Sequence, residues 1–448
     1  MTRQRLLFVT TDPLTERMPG PAIRAWHLAE ALSSDHDVTL VSSVACNRSH
    51  PKMDVRFADE KGVEALCDWM TVVVGPGSLV TRYPFVGATD KPVVIDIYDP
   101  YHLENLAMRA SAPAQADAVV GQLVQVVNRD LARGDFFLCA SERQRDFWLG
   151  SLTSTGRVNA RTHRGDEALQ RLLAVVPFGV PAEPPAREGP GLDAIIPAGK
   201  RPWPIVLWGG GVYDWLDPLT VLRAVHLLRS ELPDIFLVFM GMGHPNPQIP
   251  EMPVAQELRR VADTLEMVPS TVAFNSSWVP YEHRAAALLD ATVGVSTNLE
   301  HLEARYSFRT RVLDYLWAGL PTVMTSGDVL SELVDEEGIG VAVAPGDVDA
   351  VAEGIKKMAT EPPDQEAVRR VGQRFRWDRV AAPLLEYCAD PWRAADQPRL
   401  VPPEADSAPH PTATAGQTAG QQDATPDLRS ALRALARAAY RTARRWAE

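Results

Sequence analysis

Short apolar segments recur along this chain, and each is followed by a turn-rich or helical stretch. The segments are apolar at nearly every position, which is typical of parallel strands buried on both faces of a sheet. Strands that alternate with helices in this way predict an α/β fold with parallel sheets. The predicted strands cover residues 6–10, 38–42, 71–75, 93–97, 136–139, 204–211, 235–241, 272–274, 291–296 and 322–324.

The strands fall into two series, separated by a connection rich in proline and glycine at residues 184–191. Such a composition is typical of a domain boundary. A chain of 448 residues, 46% of them hydrophobic, can bury more than one core. We therefore predict two doubly wound, Rossmann-like domains over residues 1–185 and 201–375, joined by a linker at 186–200.

Charge and cysteine content narrow the function classes. The formal net charge of −12 argues against nucleic acid as the main partner. The four cysteines lie far apart, with neither the close pairs of a zinc site nor the density of a disulfide scaffold. The first apolar segment is too short for a signal peptide, and no run is long enough to span a bilayer. We expect a cytoplasmic protein.

The composition changes abruptly after Pro391. Proline, alanine, threonine, glutamine and glycine dominate up to Pro426, and we predict a disordered linker over residues 393–426. Residues 427–448 form a basic helical pattern with an arginine at every fourth position from Arg429 to Arg445. This pattern suits a helix on a membrane surface. Because its apolar face is narrow and mostly alanine, a solvated or partner-binding helix stays open.

A basic, polar turn runs into a short apolar helix between Ser307 and Gly319. The first amides of a helix lack internal partners, so phosphate oxygens bind there readily. Arg309 and Arg311 could add charge-assisted hydrogen bonds, and Asp314 lies one turn further on, where it could bind a ribose. The turn therefore predicts a nucleotide site, with an ordinary helix and two solvated arginines as the alternative. The candidate residues are Ser307, Phe308, Arg309, Thr310, Arg311 and Asp314.

Three consecutive glycines, Gly209, Gly210 and Gly211, follow the first strand of the second series. Glycines without side chains let backbone amides approach a phosphate or a sugar closely. The alternative is a tight turn between a strand and a helix.

Several motifs of the second half resemble family-4 glycosyltransferases of the GT-B fold, also called group 1 glycosyltransferases. They are Val279-Pro280-Tyr281-Glu282, Leu288-Leu289-Asp290-Ala291, Val293-Gly294-Val295-Ser296 and Leu313 to Pro321, in the family's order and spacing. The resemblance covers about residues 1–392. It implies two Rossmann-like domains that face a cleft, and a crossover helix at 376–392 that returns to the first domain.

The resemblance also implies roles in the second domain. The nucleotide base would lie near Trp278 and Val279, the diphosphate near the turn from Ser307 to Thr310, and the ribose on Asp314. The first of the two family acids falls on Tyr306, so Glu303 is the candidate substitute. The family's arginine and lysine are absent after the glycines, and Arg309 and Arg311 would supply their charge.

In the first domain, Gly20 and Pro21 resemble the family's acceptor-side loop. Arg24 could meet a phosphate or the acceptor, with a solvated helix arginine as the alternative. Asp99 follows a strand, at the sheet edge that normally carries the site. It could orient the acceptor hydroxyl or accept its proton, and a carboxylate that caps the next helix is the alternative. The catalytic candidates are Asp99, Arg24 and Glu303.

The resemblance implies transfer of a sugar from a nucleotide-diphosphate sugar to an acceptor hydroxyl, with retention at the anomeric carbon. We expect no cofactor and no metal, and we place the isolated Asp347-Val348-Asp349 pattern at a surface helix start. The acceptor would be a sugar or a lipid-linked sugar in surface-polysaccharide or glycoconjugate assembly, with the basic tail on the inner face of the membrane. A nucleotide-sugar epimerase of the same fold and a non-catalytic nucleotide-sugar-binding protein are the alternatives.

Overall fold

A computed structural model describes residues 2–110, 112–200, 202–246, 249 and 251–397. The first domain is built on a seven-stranded sheet, and the second is built on a six-stranded sheet. All paired strands in both sheets run parallel, as the apolar segments predict.

The strand order of the first sheet is β3-β2-β1-β4-β5-β6-β7. Its strands are β1 (Arg5–Thr10), β2 (Asp37–Ser42), β3 (Asp54–Phe57), β4 (Val72–Pro76), β5 (Val93–Asp96), β6 (Phe136–Cys139) and β7 (Leu173–Val175). The helices of this domain are α1 (Gly20–Leu32), α2 (Glu60–Trp69), α3 (Leu79–Arg82), α4 (Pro84–Ala88), α5 (Tyr101–Met108), α6 (Pro113–Arg133), α7 (Glu142–Ser154) and α8 (Ala160–His163). Because helices cover both faces, most residues of the central strands are fully buried.

The strand order of the second sheet is β10-β9-β8-β11-β12-β13. Its strands are β8 (Ile205–Trp208), β9 (Phe236–Phe239), β10 (Val272–Phe274), β11 (Val293–Ser296), β12 (Thr322–Thr325) and β13 (Gly340–Val343). The helices are α9 (Pro218–Leu228), α10 (Pro253–Thr264), α11 (Arg284–Asp290), α12 (Leu302–Tyr306), α13 (Thr310–Ala318), α14 (Val329–Glu336), α15 (Val348–Thr360) and α16 (Gln365–Gly372). Asp347 caps the start of α15, as the sequence predicts.

Each sheet changes the direction of its strand order once. The change falls between β1 and β4 in the first sheet and between β8 and β11 in the second. Ligands of doubly wound proteins bind at such switch points, in the crevice outside the carboxyl ends of the strands. The topology therefore points to the loops that follow β1 and β4 in the first sheet and β8 and β11 in the second.

The chain returns to the first domain after α16 through α17 (Trp377–Val380) and α18 (Ala382–Ala389). Trp377 packs on Phe178 with ring centroids 5.0 Å apart, and Tyr387 stacks on Phe136 at 4.5 Å. These aromatic contacts fasten the crossover segment to the first sheet.

The predicted disordered linker is wrong at its beginning. Residues 393–397 pack on the first domain, where Asp396 pairs with Arg157 at 2.7 Å and Arg393 pairs with Asp135 at 2.9 Å. The rest of that linker and the basic helix at 427–448 lie outside the described residues. No helix in the described part of the chain is long and apolar enough to cross a membrane.

Candidate functional site

The glycine turn after β8 is held by one buried side chain. The Tyr315 hydroxyl accepts a hydrogen bond from the Gly209 amide at 2.7 Å and lies 3.0–3.1 Å from the carbonyl oxygens of Leu207 and Val295. Gly210 has φ +88, and a Cβ added there would meet no atom within 4 Å. A Cβ at Gly211 would lie 2.5 Å from the Tyr213 ring. The turn therefore needs glycine, and its middle residue faces open space.

Arg311 lies beneath this turn. Its guanidinium donates from Nη2 to the Gly211 carbonyl at 2.9 Å and stacks over Trp208, 4.6 Å from the ring centroid. Burial lowers the pKa of Arg311 to about 10, so the group stays protonated at neutral pH. Arg311 forms no ion pair with the described residues, and its Nη1 atom has no hydrogen-bond partner among them. Arg311 is thus an unneutralised buried cation beside the glycine turn.

Arg309 has a different environment, although it is only two residues away. It pairs with Glu303 through two hydrogen bonds of 2.9 and 3.2 Å, and both side chains are buried. Glu303 lies on α12, whose start is capped by His301. Glu303 therefore cancels the charge of Arg309, and only the Arg309 Nε atom lacks a partner among the described residues.

Tyr306 and Phe308 both pack away from the ion pair of Arg309 and Glu303. The Tyr306 ring packs on Phe147 of the first domain, with centroids 4.7 Å apart. Phe308 lies edge-on to Phe375 at 6.1 Å. Ser307 Oγ bonds the Ala304 carbonyl, and Thr310 is the first residue of α13. The carboxylate beside Arg309 therefore comes from Glu303, and its role as the substitute for the family acid stays a prediction.

Asp314 contacts an arginine that the sequence motifs do not single out. Arg284 donates from Nε to Asp314 at 3.1 Å and lies between two rings, 3.7 Å from the Tyr281 centroid and 4.8 Å from that of Trp317. The Asp314 side chain is still 37% exposed. The carboxylate is thus oriented by Arg284 and remains accessible.

Aromatic side chains surround the loops after β8, β9 and β10. Trp278 covers Gly241, where an added Cβ would lie 2.9 Å from the indole, and its ring centroid is 6.2 Å from that of His244. Tyr213 stacks on Trp215 at 4.8 Å with nearly parallel rings. Val279 is partly buried and packs against the hydrophobic core. The cluster offers flat apolar faces at the carboxyl edge of the second sheet.

On the first-domain side, Asp99 and Glu104 come together after β5. Their side chains are within hydrogen-bonding reach of one another, and burial, the largest cause, raises the pKa of both carboxyl groups. The nearby Glu303 carboxylate of the second domain raises both pKa values further. Helix α5 has no side-chain cap, so the alternative that Asp99 caps this helix is wrong. Sequence reasoning missed Glu104; its place one turn after Asp99 was the available signal.

Arg24 is a buried structural arginine, only 1% exposed. It binds both Asp96 oxygens at 2.6 and 3.0 Å and donates to the carbonyls of Val176 and Pro177 at 2.8 and 3.0 Å. Its guanidinium also lies 4.6 Å from the Tyr98 centroid. The alternative of a solvated arginine is wrong, and these contacts leave Arg24 poorly placed to bind a phosphate or an acceptor.

The acceptor-side loop begins α1 itself. Gly20 and Pro21 are the first two residues of that helix. A Cβ at Gly20 would lie 3.9 Å from the Tyr98 hydroxyl. The loop before it carries Asp12, whose side chain bonds Asn246 of the second domain; burial raises the pKa of Asp12 to about 6.

Further contacts join the two domains. Arg143 on α7 binds both Glu332 oxygens at 2.7 and 2.8 Å and donates to the Gly327 carbonyl at 2.8 Å. Arg48 pairs with Glu282 at 2.6 Å. The loops of the two sheets therefore face each other across a narrow, bridged cleft.

Three buried oxygen atoms at the ends of β11 and β12 lack a hydrogen-bond partner among the described residues. They are Ser296 Oγ, Asn298 Oδ1 and Asp328 Oδ2, on residues no more than 2% exposed. Buried polar atoms are normally paired, so such a group is typical of a site that binds a hydroxyl-bearing ligand. Among the described residues, no group of His, Cys, Asp and Glu could hold a metal ion.

Comparison with known proteins agrees with this architecture. Residues 204–361 match the family described as "Glycosyl transferases group 1". Sucrose-phosphate synthase from Thermosynechococcus elongatus aligns with a TM-score of 0.59 at 15% identity, over 86% of this chain and 98% of that one. The Anabaena protein HepE, in complex with UDP and glucose, aligns with a TM-score of 0.55 at 13% identity, over 86% of this chain and 100% of that one. An E. coli structure described as trehalose-6-phosphate bound with UDP-2-fluoro glucose aligns with a TM-score of 0.58 at 10% identity, over 87% of this chain and 100% of that one. No curated protein sequence matches the chain.

The two parallel sheets and the matched structures show that the protein has the GT-B fold. Within it, residues 204–361 of the second domain resemble the group 1 glycosyltransferases.

Proposed function

We propose that this protein is a retaining glycosyltransferase that moves a sugar from a nucleotide-diphosphate sugar to an acceptor hydroxyl. One observation carries the proposal: the fold brings Asp99 of the first domain next to Glu303 and Arg309 of the second, at the carboxyl edges of both sheets. Transfer between two bound sugars needs such groups on both sides of one cleft, because positioning supplies much of the rate enhancement.

The donor would bind to the second domain. The Gly210 backbone and the unneutralised Arg311 would hold the diphosphate, and the accessible Asp314 carboxylate would accept hydrogen bonds from the ribose. The aromatic faces around Trp278 suit a nucleotide base. Because Arg309 is already paired with Glu303, Arg311 takes the larger part in stabilising the departing charge. Since similar structures contain UDP or a UDP-sugar, a UDP-sugar is the first donor to test.

Transfer would proceed without a metal ion, with Arg311 and helix amides in its place. Asp99 would hold the acceptor hydroxyl and accept its proton, and Glu303 would position Arg309 next to the reacting sugar. The acceptor would be a sugar of a cell-surface polysaccharide or glycoconjugate, in line with the lipopolysaccharide role of the similar protein WaaG, which has a TM-score of 0.51 at 14% identity.

The experiment that tests the donor site is thermal shift against UDP-, GDP-, ADP- and dTDP-sugars, for the parent protein and the variants Arg311→Gln and Asp314→Ala. Arg370→Gln is the matched control, because this arginine is exposed on α16. We expect one donor to stabilise the parent and the control and to have little effect on the two site variants. No shift with any donor would contradict the proposal.

Product analysis with the selected donor then separates transfer from the alternatives. A glycosyltransferase gives a glycoside only when an acceptor is present, and its anomeric configuration reports retention or inversion. An epimerase releases the nucleotide and an altered sugar without an acceptor. Binding without any product would indicate the non-catalytic protein.

A further inference from the structure

Two carboxyl groups lie in contact on the first-domain side of the cleft. Asp99 follows the end of β5, and Glu104 is four residues into α5. Their side chains are within hydrogen-bonding reach. Since an ionised carboxylate can only accept hydrogen bonds, two carboxyl groups can form such a bond only if one of them keeps a proton.

The surroundings of the pair favour that proton. Glu303 and Arg309 approach from the second domain and Asp96 from β5; Arg309 is paired with Glu303, and Asp96 with Arg24. Arg309 lowers the pKa of both carboxyl groups, but it also neutralises Glu303, so it does not fully compensate a second negative charge on the pair. Three phenols also lie near the pair, and burial keeps their pKa values above the ordinary range, so they remain protonated at neutral pH. They are Tyr98, Tyr101 and Tyr213.

The pair is also accessible from solvent. Both residues are partly exposed, whereas Glu303 and Arg309 opposite them are buried. Arg309 is only 7% exposed, and its Nε atom has no partner among the described residues. A buried donor without a partner is costly unless a bound group accepts from it. A ligand atom between Arg309 and the carboxyl pair would satisfy both sides.

We propose that Glu104 keeps its proton at neutral pH and donates it to Asp99, so that Asp99 is the ionised member and takes the proton of the acceptor hydroxyl. Glu104 is then a positioning residue that acts through Asp99. This inference rests on the proposed glycosyl transfer and adds the residue that determines the pH range of the base.

The step balances as follows. The acceptor oxygen forms a bond to the anomeric carbon, and the bond from that carbon to the diphosphate oxygen breaks, with its electron pair leaving on the diphosphate. The hydroxyl proton passes to Asp99. The doubly protonated pair then returns one proton to solvent or to the departing diphosphate.

The first test needs no substrate. A pair that keeps one proton binds more protons when folded than when unfolded, so the protein loses stability as pH rises through the raised pKa of the pair. We expect the unfolding constant of the parent to increase with pH from the ordinary glutamate pKa of 4.5 up to the raised pKa of the pair, by at most about tenfold per unit for one proton. In Glu104→Gln an uncharged amide replaces the protonated carboxyl group, so this part of the pH dependence should disappear.

Glu300→Gln, an exposed acid before α12, is the control and should follow the parent. An equal pH dependence in the parent and in Glu104→Gln would overturn the inference. If Glu104→Gln does not fold, Asp99→Asn serves the same measurement, since it also leaves one ionisable group in the pair.

The second test uses the donor selected by thermal shift and follows kcat/KM against pH. The parent needs one proton on the pair, so its profile should be bell-shaped. Glu104→Gln should lose the alkaline limb and keep the acid limb, and Glu104→Ala should be slow at every pH. Transfer with an unchanged alkaline limb in Glu104→Gln would refute the role of Glu104 and leave the proposed function intact. Absence of transfer in the parent would instead refute the function.

Discussion

Arg309 and Arg311 belong to one basic turn, yet the fold gives them different partners. Glu303 neutralises Arg309 through two hydrogen bonds, whereas Arg311 donates to a carbonyl oxygen, stacks on Trp208 and has no ion pair with the described residues. Removing one partner of a buried ion pair leaves the other charge uncompensated. The same substitution should therefore affect stability at one position and ligand affinity at the other.

We expect Arg311→Gln to weaken UDP-sugar binding by about 10- to 100-fold, which corresponds to the loss of about 1.5–3 kcal/mol of charged hydrogen bonding. Its stability should change little. Arg309→Gln should instead lower the free energy of unfolding by about 3–5 kcal/mol, because Glu303 stays buried without its cation. Calorimetric titration and urea unfolding of both variants check this. Equal effects of the two substitutions on affinity would contradict the assignment.

Asp130 on α6 gives a prediction about pH. The side chain is fully buried, its Oδ1 accepts from the Val80 amide at 2.9 Å, and its Oδ2 has no partner among the described residues. Burial raises its pKa from 3.8 to about 7. The folded state therefore binds one more proton than the unfolded state between these values, and stability falls as pH rises through about 7.

Asp130→Asn should remove this dependence, because the amide oxygen can still accept from Val80 and carries no charge. From pH 5 to pH 8, we expect the unfolding free energy of the parent to fall relative to that of the variant. Urea unfolding at both pH values measures it. Asp117→Asn, an exposed position on the same helix, should show no such shift.

At the scale of elements, the glycine turn after β8 depends on helix α13. Tyr315 reaches from that helix to the ends of β8 and β11, and it fixes the Gly209 amide. The helix that starts at the basic turn thus also shapes the turn that would hold the diphosphate. Both halves of the donor site are coupled through one hydroxyl group.

Tyr315→Phe should lower stability by about 1–3 kcal/mol, because it leaves buried backbone groups without a partner. It should also reduce donor affinity, since the Gly209 amide is no longer held. Tyr387→Phe is the matched control: its hydroxyl donates to the Trp392 carbonyl in the first domain. The control should lose stability but keep the parent's donor affinity, as measured by titration; an equal loss of affinity in both would argue against the coupling.

At the scale of the molecule, polar contacts bridge the cleft on more than one side. Arg143 bonds Glu332 and Gly327, Arg48 pairs with Glu282, and the Asp12 side chain bonds Asn246. Partly exposed ion pairs contribute little each, about 0–1 kcal/mol. A small number of such weak contacts can therefore hold the cleft closed and still let it open to admit substrates, as in hinge motions around a ligand.

The double variant Arg48→Ala with Arg143→Ala should shift the protein toward an opened cleft. We expect a larger radius of gyration by small-angle scattering without nucleotide, and recovery when the donor binds both domains. Arg374→Ala, which removes a pair with Glu337 inside the second domain, is the control. An unchanged radius in the double variant would show that these pairs do not hold the cleft.

Much of the fold was predictable from the sequence. Ten predicted strands, such as 38–42 and 136–139, match strands of the structure, because apolar runs between turn signals are a local property. The short edge strands β3, β7 and β13 were missed. β3 and β13 are largely exposed or only partly buried, so they lack the continuous apolar run that marks a central strand, and β7 has only 3 residues.

The site was predictable in outline and not in detail. The basic turn, the glycines and Asp314 lie at the carboxyl edge of the second sheet, where the motifs place them, and the roles of these residues stay predictions. The pairing of Arg24 with Asp96 was not predictable, because 72 residues separate the two positions and no local pattern links them. Glu104 was overlooked because its importance comes from burial and from its contact with Asp99, and neither is visible in the local sequence pattern.

The sequence by itself determined the two series of parallel strands, the helix starts and stops, and the types of residue available at the sheet edges. These properties depend on local periodicity and on the backbone preferences of glycine and proline. Only the tertiary structure decided which charges are cancelled and which remain. Burial and distance between residues far apart in the chain set those energies, so Arg311 keeps its charge while Arg24 and Arg309 are neutralised.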